Sequence, residues 1–180
     1  MPRALFLDRD GVINRDFGYV YRKEQFEFVD GIFDLTRAAR REGYLVIVIT
    51  NQSGIGRGIY GEADFQALMQ WVRVEFEARG TGLDAIYHCP FHPEYGLGGY
   101  KRESPCRKPA PGMILQAARD HSLDLASSLL VGDSVTDMQA GEAAGVGRLF
   151  LLTGEDNKYA AAFPISNLRE LIPFLTAPES

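Results

Sequence analysis

Short apolar runs recur along the chain, and stretches with helical spacing separate them. Five of these runs predict strands, at residues 4–7, 45–49, 85–87, 129–131 and 149–152. Strands that alternate with helices are typical of βαβ units, whose strands pair in parallel. The pattern therefore predicts an α/β protein built on a parallel sheet.

The intervening patterns predict five helices, at about residues 32–42, 65–79, 111–121, 135–144 and 168–175. Asp30 is placed to cap the first helix, and Pro111 suits the first turn of the third. Pro173 is expected to shorten or bend the last one. Two long stretches, 15–28 and 89–111, fit neither pattern. Loops of that length in a compact domain are usually functional or disordered.

Composition narrows the class of protein. With 180 residues, 46% of them hydrophobic, the chain is expected to form one domain over residues 1–175, with a frayed tail at 176–180. No run approaches the roughly 18 apolar residues of a membrane-spanning helix. A net charge of -5 argues against non-specific nucleic-acid binding. The first residues lack the apolar core of a signal peptide, which predicts a cytoplasmic protein.

Two carboxylates, Asp8 and Asp10, follow the first predicted strand directly. In an open α/β sheet the ligand crevice lies at the carboxyl ends of the strands, so both side chains should project into it. Like charges at this spacing disfavour joint ionisation. Either a cation holds the pair, or one of the two takes a proton.

Polar groups also end the second and fourth predicted strands, and a basic pair precedes the third helix. Acidic groups suit Mg²⁺, which usually bridges to substrate phosphates, while Lys, Thr and backbone N–H groups suit the phosphate oxygens. Phosphoryl transfer requires this combination. The residues concerned are Thr50, Asn51, Gln52, Ser53, Arg107, Lys108, Asp133 and Asp137.

Over residues 8–137 the chain resembles the haloacid dehalogenase-like phosphohydrolases, whose four motifs it matches in order. The motifs stand here as DRDGVIN, TNQSGIGRG, CRKP-x-PGM and GD-x-x-x-DMQAG. The resemblance implies a Rossmannoid three-layer fold, with helices on both faces of a parallel sheet and no large cap domain. It also implies a Mg²⁺-dependent phosphatase whose two long loops shape the substrate site.

The resemblance assigns the catalytic roles by position. Asp8 is the nucleophile that becomes an aspartyl phosphate, and Asp10 is the acid and base. Thr50 and Lys108 bind the transferring phosphoryl group and offset its charge.

The resemblance also implies the ligands of Mg²⁺. They are Asp8, the backbone carbonyl of Asp10, and Asp133. Asp137 is expected to orient the metal shell or Lys108 instead of coordinating directly.

Finer detail in the motifs resembles members of the family that act on a small sugar bisphosphate. Polar contacts should carry specificity for such a substrate, and Arg107 could pair bidentately with its second phosphate. No other partner is expected, and the chain is expected to be a monomer. The remaining candidate substrate-binding residues are Asp16, Gly18, Tyr19, Asn51, Gln52 and Ser53.

Two alternatives stay open. Histidinol phosphate carries an imidazole and one phosphate, and the motif core is compatible with it, although Arg107 would then meet no second anion. The chain could also be a phosphate-binding domain without turnover. Retention of Asp10 argues against that reading, because a mere binder needs no acid/base residue.

Cys89 and Cys106 lie 17 positions apart, and the expected reducing compartment disfavours a disulfide between them. Many members of the family hold structural zinc with a Cys-x-His and a Cys-x-Cys pair at this place. Here Phe91 and Ser104 replace two of those four ligands. A shifted set of Cys89, His92 and Cys106 has the wrong spacing for a closed tetrahedral site, so structural zinc is not expected.

Overall fold

A computed structural model of the chain describes residues 1–153 and 158–176. Its centre is a parallel sheet in the order β3-β2-β1-β4-β5-β6. The strands are β1 (Arg3–Leu7), β2 (Tyr44–Asn51), β3 (Ala85–Cys89), β4 (Leu129–Gly132), β5 (Arg148–Leu152) and β6 (Ala162–Ile165). The order reverses direction at β1, so the carboxyl ends of β2, β1 and β4 lie side by side.

Among the described residues there are five α-helices and three 3₁₀ turns, and the last of these turns follows β6. The α-helices are α1 (Ile32–Arg41), α2 (Ser53–Gly56), α3 (Glu62–Ala78), α4 (Gly112–His121) and α5 (Val135–Ala144). The 3₁₀ turns are Lys23–Gln25, Gly98–Tyr100 and Leu168–Phe174. Within the described residues, the two long connections, 8–31 and 90–111, contain only isolated bridges and 3₁₀ turns. Neither inserts a cap domain.

The two faces of the sheet bury separate apolar clusters, as the period-two alternation of strand side chains requires. Leu5 and Leu7 of β1 face α1, α3 and the 3₁₀ turn Leu168–Phe174. Ala4 and Phe6 face α4 and α5. The predicted three-layer fold with helices on both faces is therefore confirmed.

The sequence pattern did not predict β6. Pro164 lies inside this strand, and a proline normally argues against a strand because it has no N–H to donate. Here β6 pairs only with β5 at one edge of the described sheet. An edge strand has one side that needs no partner, so the proline is tolerated.

One helix-end prediction was wrong. Asp30 does not cap α1, because Gly31, with φ 85°, occupies the N-cap position and Asp30 instead accepts hydrogen bonds from the guanidinium of Arg169. The last predicted helix is present, but as a 3₁₀ turn over Leu168–Phe174 with Pro173 inside it, because a proline cannot donate the α-helical hydrogen bond. Of the predicted frayed tail, residues 177–180 lie outside the described residues.

Cys89 and Cys106 form a disulfide, so the expectation against one was wrong. That expectation rested on the cellular compartment, which carries no information about distance. The loop after β3 returns so that the two Cα atoms lie 5.6 Å apart, within the range that a disulfide spans. The joined sulfur atoms are not free thiolates, and the absence of structural zinc stays a prediction.

None of the helices that the structure describes has both the length and the apolar character needed to cross a bilayer.

Candidate active site

The ends of β2, β1 and β4 open onto a cavity of about 390 Å³. Ligands bind at this place in open α/β sheets because the strand order reverses there and leaves a crevice. The cavity collects residues that are far apart in sequence. Most of the predicted site residues line it: Asp8, Asp10, Asp16, Gly18, Tyr19, Asn51, Gln52, Ser53, Lys108, Asp133 and Asp137.

Lys108 forms the centre of the charged floor of this cavity. Its ammonium donates to Asp8 Oδ1 at 2.9 Å, to Asp137 Oδ1 at 2.6 Å and to the carbonyl of Ile49 at 3.1 Å. All three donor positions of the ammonium are therefore directed by the protein. Only 4% of the Lys108 side chain is exposed, so the charge is held rigidly beside Asp8.

Burial perturbs the ionisation of this cluster. It raises the pKa of Asp8 well above its usual range, and the charges of Asp137 and Asp133 add to the effect, while Lys108 opposes it. Burial, followed by the charge of Asp137, raises the pKa of Asp133 to about 6. Burial lowers the pKa of Lys108, but the carboxylates of Asp8 and Asp137 outweigh it and give a net rise. The carboxylates of Asp8, Asp133 and Asp137 thus share one ammonium, so the cluster has room for a further positive charge.

The acidic residues fit a divalent cation. Carboxylate oxygens of Asp8, Asp133 and Asp137 lie within 4.8 Å of one another, and Mg²⁺ prefers oxygen ligands of this kind. Both oxygens of Asp137 already accept hydrogen bonds, Oδ1 from Lys108 and Oδ2 from the backbone N–H groups of Asp133 and Ser134. Asp137 is therefore better placed to orient its neighbours than to coordinate a metal.

Asp10 is held by three side chains. Its Oδ1 accepts from Arg9 Nη2 at 2.6 Å and from Asn14 Nδ2 at 3.0 Å, while its Oδ2 accepts from Gln52 Nε2 at 3.0 Å. With 23% of its side chain exposed, Asp10 faces the cavity. Oδ1 is occupied by two donors, so Oδ2 is the oxygen with more room for a proton.

The three residues at the end of β2 contact mainly the protein. Thr50 is fully buried and its hydroxyl accepts from Gln52 Nε2 at 2.8 Å. Asn51 holds the backbone of Lys108. Its Nδ2 donates to the Lys108 carbonyl and its Oδ1 accepts from the Lys108 N–H, both at 3.1 Å. Gln52 is also buried. The side-chain amides of Asn51 and Gln52, predicted to bind substrate, are thus engaged with neighbouring protein groups.

The loop after β1 supplies the mouth of the cavity. Asp16 accepts a hydrogen bond from the N–H of Gly18 at 2.9 Å, and Gly18 and Tyr19 both adopt positive φ values. A left-handed tyrosine is uncommon, and such conformations concentrate at functional sites. This turn presents the Tyr19 ring to the cavity.

Arg107 is not part of the cavity wall. Its Nη1 donates to the carbonyl of Phe91 at 3.3 Å. Burial lowers the pKa of Arg107, and the nearby positive charge of Arg57 adds to the effect. The Arg57 guanidinium lies 5.8 Å from the ring centre of Tyr19 and 4.5 Å from that of Tyr95. The two arginines therefore form a positive rim beyond Tyr19.

Sequence reasoning missed Arg9, Tyr60 and Arg57 at this site. Arg9 is buried with 1% of its side chain exposed and pairs with Asp10, although an arginine between two aspartates normally points to solvent. Tyr60 lines the cavity and donates to Gln52 Oε1. Arg9 and Arg57 lie inside two of the motifs and Tyr60 lies two residues after one of them. That position was the available signal, but periodicity does not reveal such contacts.

Known proteins similar to this chain indicate its family. A HAD-hydrolase-like family model matches residues 105–171. A Burkholderia mallei protein named D-glycero-alpha-D-manno-heptose-1,7-bisphosphate 7-phosphatase is 56% identical, over 98% of this chain and 95% of the relative. The chain belongs to the haloacid dehalogenase-like hydrolase family.

Other members of this family support the assignment. A Vibrio cholerae protein named D-glycero-beta-D-manno-heptose-1,7-bisphosphate 7-phosphatase is 46% identical, over 96% of this chain and 95% of the relative. The crystal structure of a D,D-heptose 1,7-bisphosphate phosphatase from B. bronchiseptica, complexed with magnesium and phosphate, superposes with a TM-score of 0.83 at 30% identity, covering 96% and 97% of the two chains. Its phosphatase relatives and its family identify this chain as a phosphoric monoester hydrolase.

Proposed function

We propose that the chain hydrolyses the C7 phosphate of D-glycero-D-manno-heptose 1,7-bisphosphate and releases heptose 1-phosphate. The observation that carries the proposal is the buried Lys108 ammonium, bonded to both Asp8 and Asp137 at the floor of the cavity. That arrangement presents a carboxylate nucleophile beside a fixed positive charge. The names of the relatives support the sugar.

In the first step a carboxylate oxygen of Asp8 attacks the C7 phosphorus. The bond between phosphorus and the C7 oxygen breaks, and its electron pair goes to that oxygen. Asp10, protonated at Oδ2, gives its proton to the departing alcohol. Lys108 and the Thr50 hydroxyl offset the charge that develops on the phosphoryl oxygens.

In the second step water attacks the phosphorus of the aspartyl phosphate. Asp10, now ionised, takes a proton from that water. The bond to the Asp8 oxygen breaks, which restores the carboxylate and releases inorganic phosphate. Splitting the displacement in this way divides one difficult step into two easier ones.

Asp8, Asp133 and the backbone carbonyl of Asp10 would hold Mg²⁺ beside the phosphoryl group. When bound, the cation neutralises charge on the nucleophile and on the phosphate oxygens. Asp137 would orient Lys108 and the backbone around Asp133, as its hydrogen bonds indicate.

Substrate recognition is assigned to the mouth of the cavity. Asp16, Gly18 and Tyr19 would close over the sugar, and Ser53 would bind it from the turn after β2. Arg107, supported by Arg57, would bind the C1 phosphate, since a guanidinium pairs bidentately with phosphate. This second anion site distinguishes the proposed substrate from histidinol phosphate, which has one phosphate.

The test is a comparison of phosphate release from both C1 anomers of the heptose bisphosphate, from heptose 7-phosphate and from histidinol phosphate. We expect kcat/KM to be at least about tenfold higher for a bisphosphate than for either monophosphate, because one charge-assisted contact is lost with the second phosphate. Phosphorus NMR of the product should show the C1 phosphate retained. A preference for histidinol phosphate, or removal of the C1 phosphate, would contradict the proposal. Asp8→Asn protein is the control for contaminating phosphatase.

The proposal also places the enzyme in the cytoplasm as a monomer. Sugar bisphosphates carry several charges and do not cross bilayers unaided, so the enzyme must share a compartment with the reaction that makes its substrate.

A further inference from the structure

Gln52 and Tyr60 form a hydrogen-bonded chain that ends on two groups of the reaction. The Tyr60 hydroxyl donates to Gln52 Oε1. Gln52 Nε2 then donates to Asp10 Oδ2 at 3.0 Å and to Thr50 Oγ1 at 2.8 Å. The chain therefore joins the acid/base residue to the phosphoryl-binding hydroxyl through one amide.

The amide has two orientations that fill the same space but differ in chemistry. A carboxamide offers two N–H donors at one end and an acceptor at the other. In the observed orientation both donors are used, on Asp10 and Thr50. In the reverse orientation the amide oxygen would face the Asp10 carboxylate. Neither Asp10 Oδ2 nor Thr50 Oγ1 would then accept a hydrogen bond from Gln52.

Tyr60 distinguishes these two orientations. A hydroxyl donor placed at the far end of the amide stabilises the orientation with oxygen towards Tyr60. Burial raises the pKa of Tyr60 to about 12, so the hydroxyl remains protonated and can donate. Its ring is fixed in turn by stacking on Tyr21, with ring centres 5.1 Å apart and planes 7° apart.

The orientation of the Gln52 amide affects both Thr50 and Asp10. Because Thr50 Oγ1 accepts from Gln52, its own hydroxyl proton points elsewhere. It donates to the carbonyl of Asn51 at a long 3.4 Å, and a phosphoryl oxygen at the site would replace that acceptor. Because Asp10 Oδ2 accepts from Gln52, its remaining lone pair has a defined direction for exchanging a proton with the leaving alcohol and with water. One amide orientation therefore prepares both groups.

We propose that Tyr60 and Gln52 are positioning residues that hold Asp10 and Thr50 in their working orientations, and that Gln52 is not a substrate ligand. The inference rests on the phosphatase chemistry of the site and is independent of which sugar is the substrate.

The test is a double-mutant cycle measured with two substrates. Tyr60→Phe keeps the aromatic stack and removes the hydroxyl. We expect kcat on the heptose bisphosphate to fall by about three- to tenfold, the effect of losing one hydrogen bond, with KM changed by less than about twofold. On 4-nitrophenyl phosphate, whose leaving group needs no proton, the fall should be smaller. Tyr21→Phe is the matched control and should leave kcat unchanged.

Gln52→Met removes the amide at similar length, and kcat should fall by about 30-fold or more because two hydrogen bonds are lost. In that background Tyr60→Phe should have no further effect, since Tyr60 acts through Gln52. Should Gln52→Met fail to fold, Gln52→Glu replaces it. Glutamate still accepts from Tyr60 but cannot donate to Asp10 or Thr50, so kcat should fall to a similar extent.

Three results would overturn the inference. They are an unchanged kcat in Tyr60→Phe, additive effects in the double variant, and a rise in KM of more than about fivefold with kcat retained. The last result would make these residues substrate ligands. Because 4-nitrophenyl phosphate is cleaved whatever the natural sugar is, failure of the proposed sugar specificity leaves this test intact.

Discussion

Gly11 allows the backbone after Asp10 to pass directly against Asp133. It has a φ of +91°, and a Cβ placed on it would overlap the carboxylate of Asp133. Gly11→Ala therefore has two effects, backbone strain and displacement of a proposed metal ligand. Gly43→Ala separates the two effects. Gly43 has a φ of +79°, so the substitution strains the backbone, but nothing lies within 4 Å of the added Cβ.

The magnitudes differ between the two effects. An alanine in left-handed backbone costs about 1–2 kcal/mol, so both variants should melt about 2–8 °C below the wild type for a domain of this size. Only Gly11→Ala should move Asp133. Disturbing groups around a metal site typically costs about 10- to 100-fold in metal affinity, so the Mg²⁺ concentration for half-maximal activity should rise by at least about tenfold.

The assay is a Mg²⁺ titration of phosphate release, paired with thermal melting of the same preparations. Gly43→Ala should keep the Mg²⁺ requirement of the wild type while losing similar stability. Equal Mg²⁺ requirements in the two variants would refute the reasoning, because they would show that Asp133 does not hold the metal or is not displaced by the new methyl group.

Three further predictions follow from the contacts described above. Asp8→Asn should reduce turnover by more than about 10³-fold with little loss of thermal stability, because an amide cannot form an acyl phosphate; steady-state activity within tenfold of wild type would contradict the nucleophile assignment. Arg107→Ala should raise KM about 10- to 100-fold for the bisphosphate and much less for a monophosphate, because it removes a charge-assisted contact to the phosphate that remains on the sugar. Initial-rate kinetics on both substrates would check this. Equal effects on the two would place Arg107 at the transferring phosphoryl group. Cys106→Ser should lower the free energy of unfolding by about 3 kcal/mol, since the disulfide closes a loop with a sequence separation of 17. Urea unfolding with and without reductant would test this. Identical midpoints for the oxidised and the reduced wild type would show that the disulfide contributes nothing to stability.

Local patterns were enough to predict the parallel sheet, the helices between its strands and the position of the reaction centre. Alternating strand and helix periods depend on residues close in sequence, and the right-handed βαβ connection then leaves few topologies. Parallel strands also place their carboxyl ends at one edge, so the polar groups that follow β1, β2 and β4 had to converge. Asp8, Asp10 and Asp133 could therefore be assigned to one cavity from sequence.

Other features depended on distances that periodicity does not encode. The Cys89–Cys106 disulfide forms because a loop without regular pattern returns to the end of β3. β6 contains Pro164, and its pairing depends on its place at an edge of the described sheet.

The partners of the polar side chains were also decided by tertiary structure. The sequence predicted that Asn51 and Gln52 would lie at the site, but not that they would bond to Lys108, Tyr60, Asp10 and Thr50. A polar side chain at the mouth of a cavity can face either the ligand or the protein. Which of the two it contacts depends on the donors and acceptors that other segments bring within about 3 Å, and only the packed structure supplies those groups.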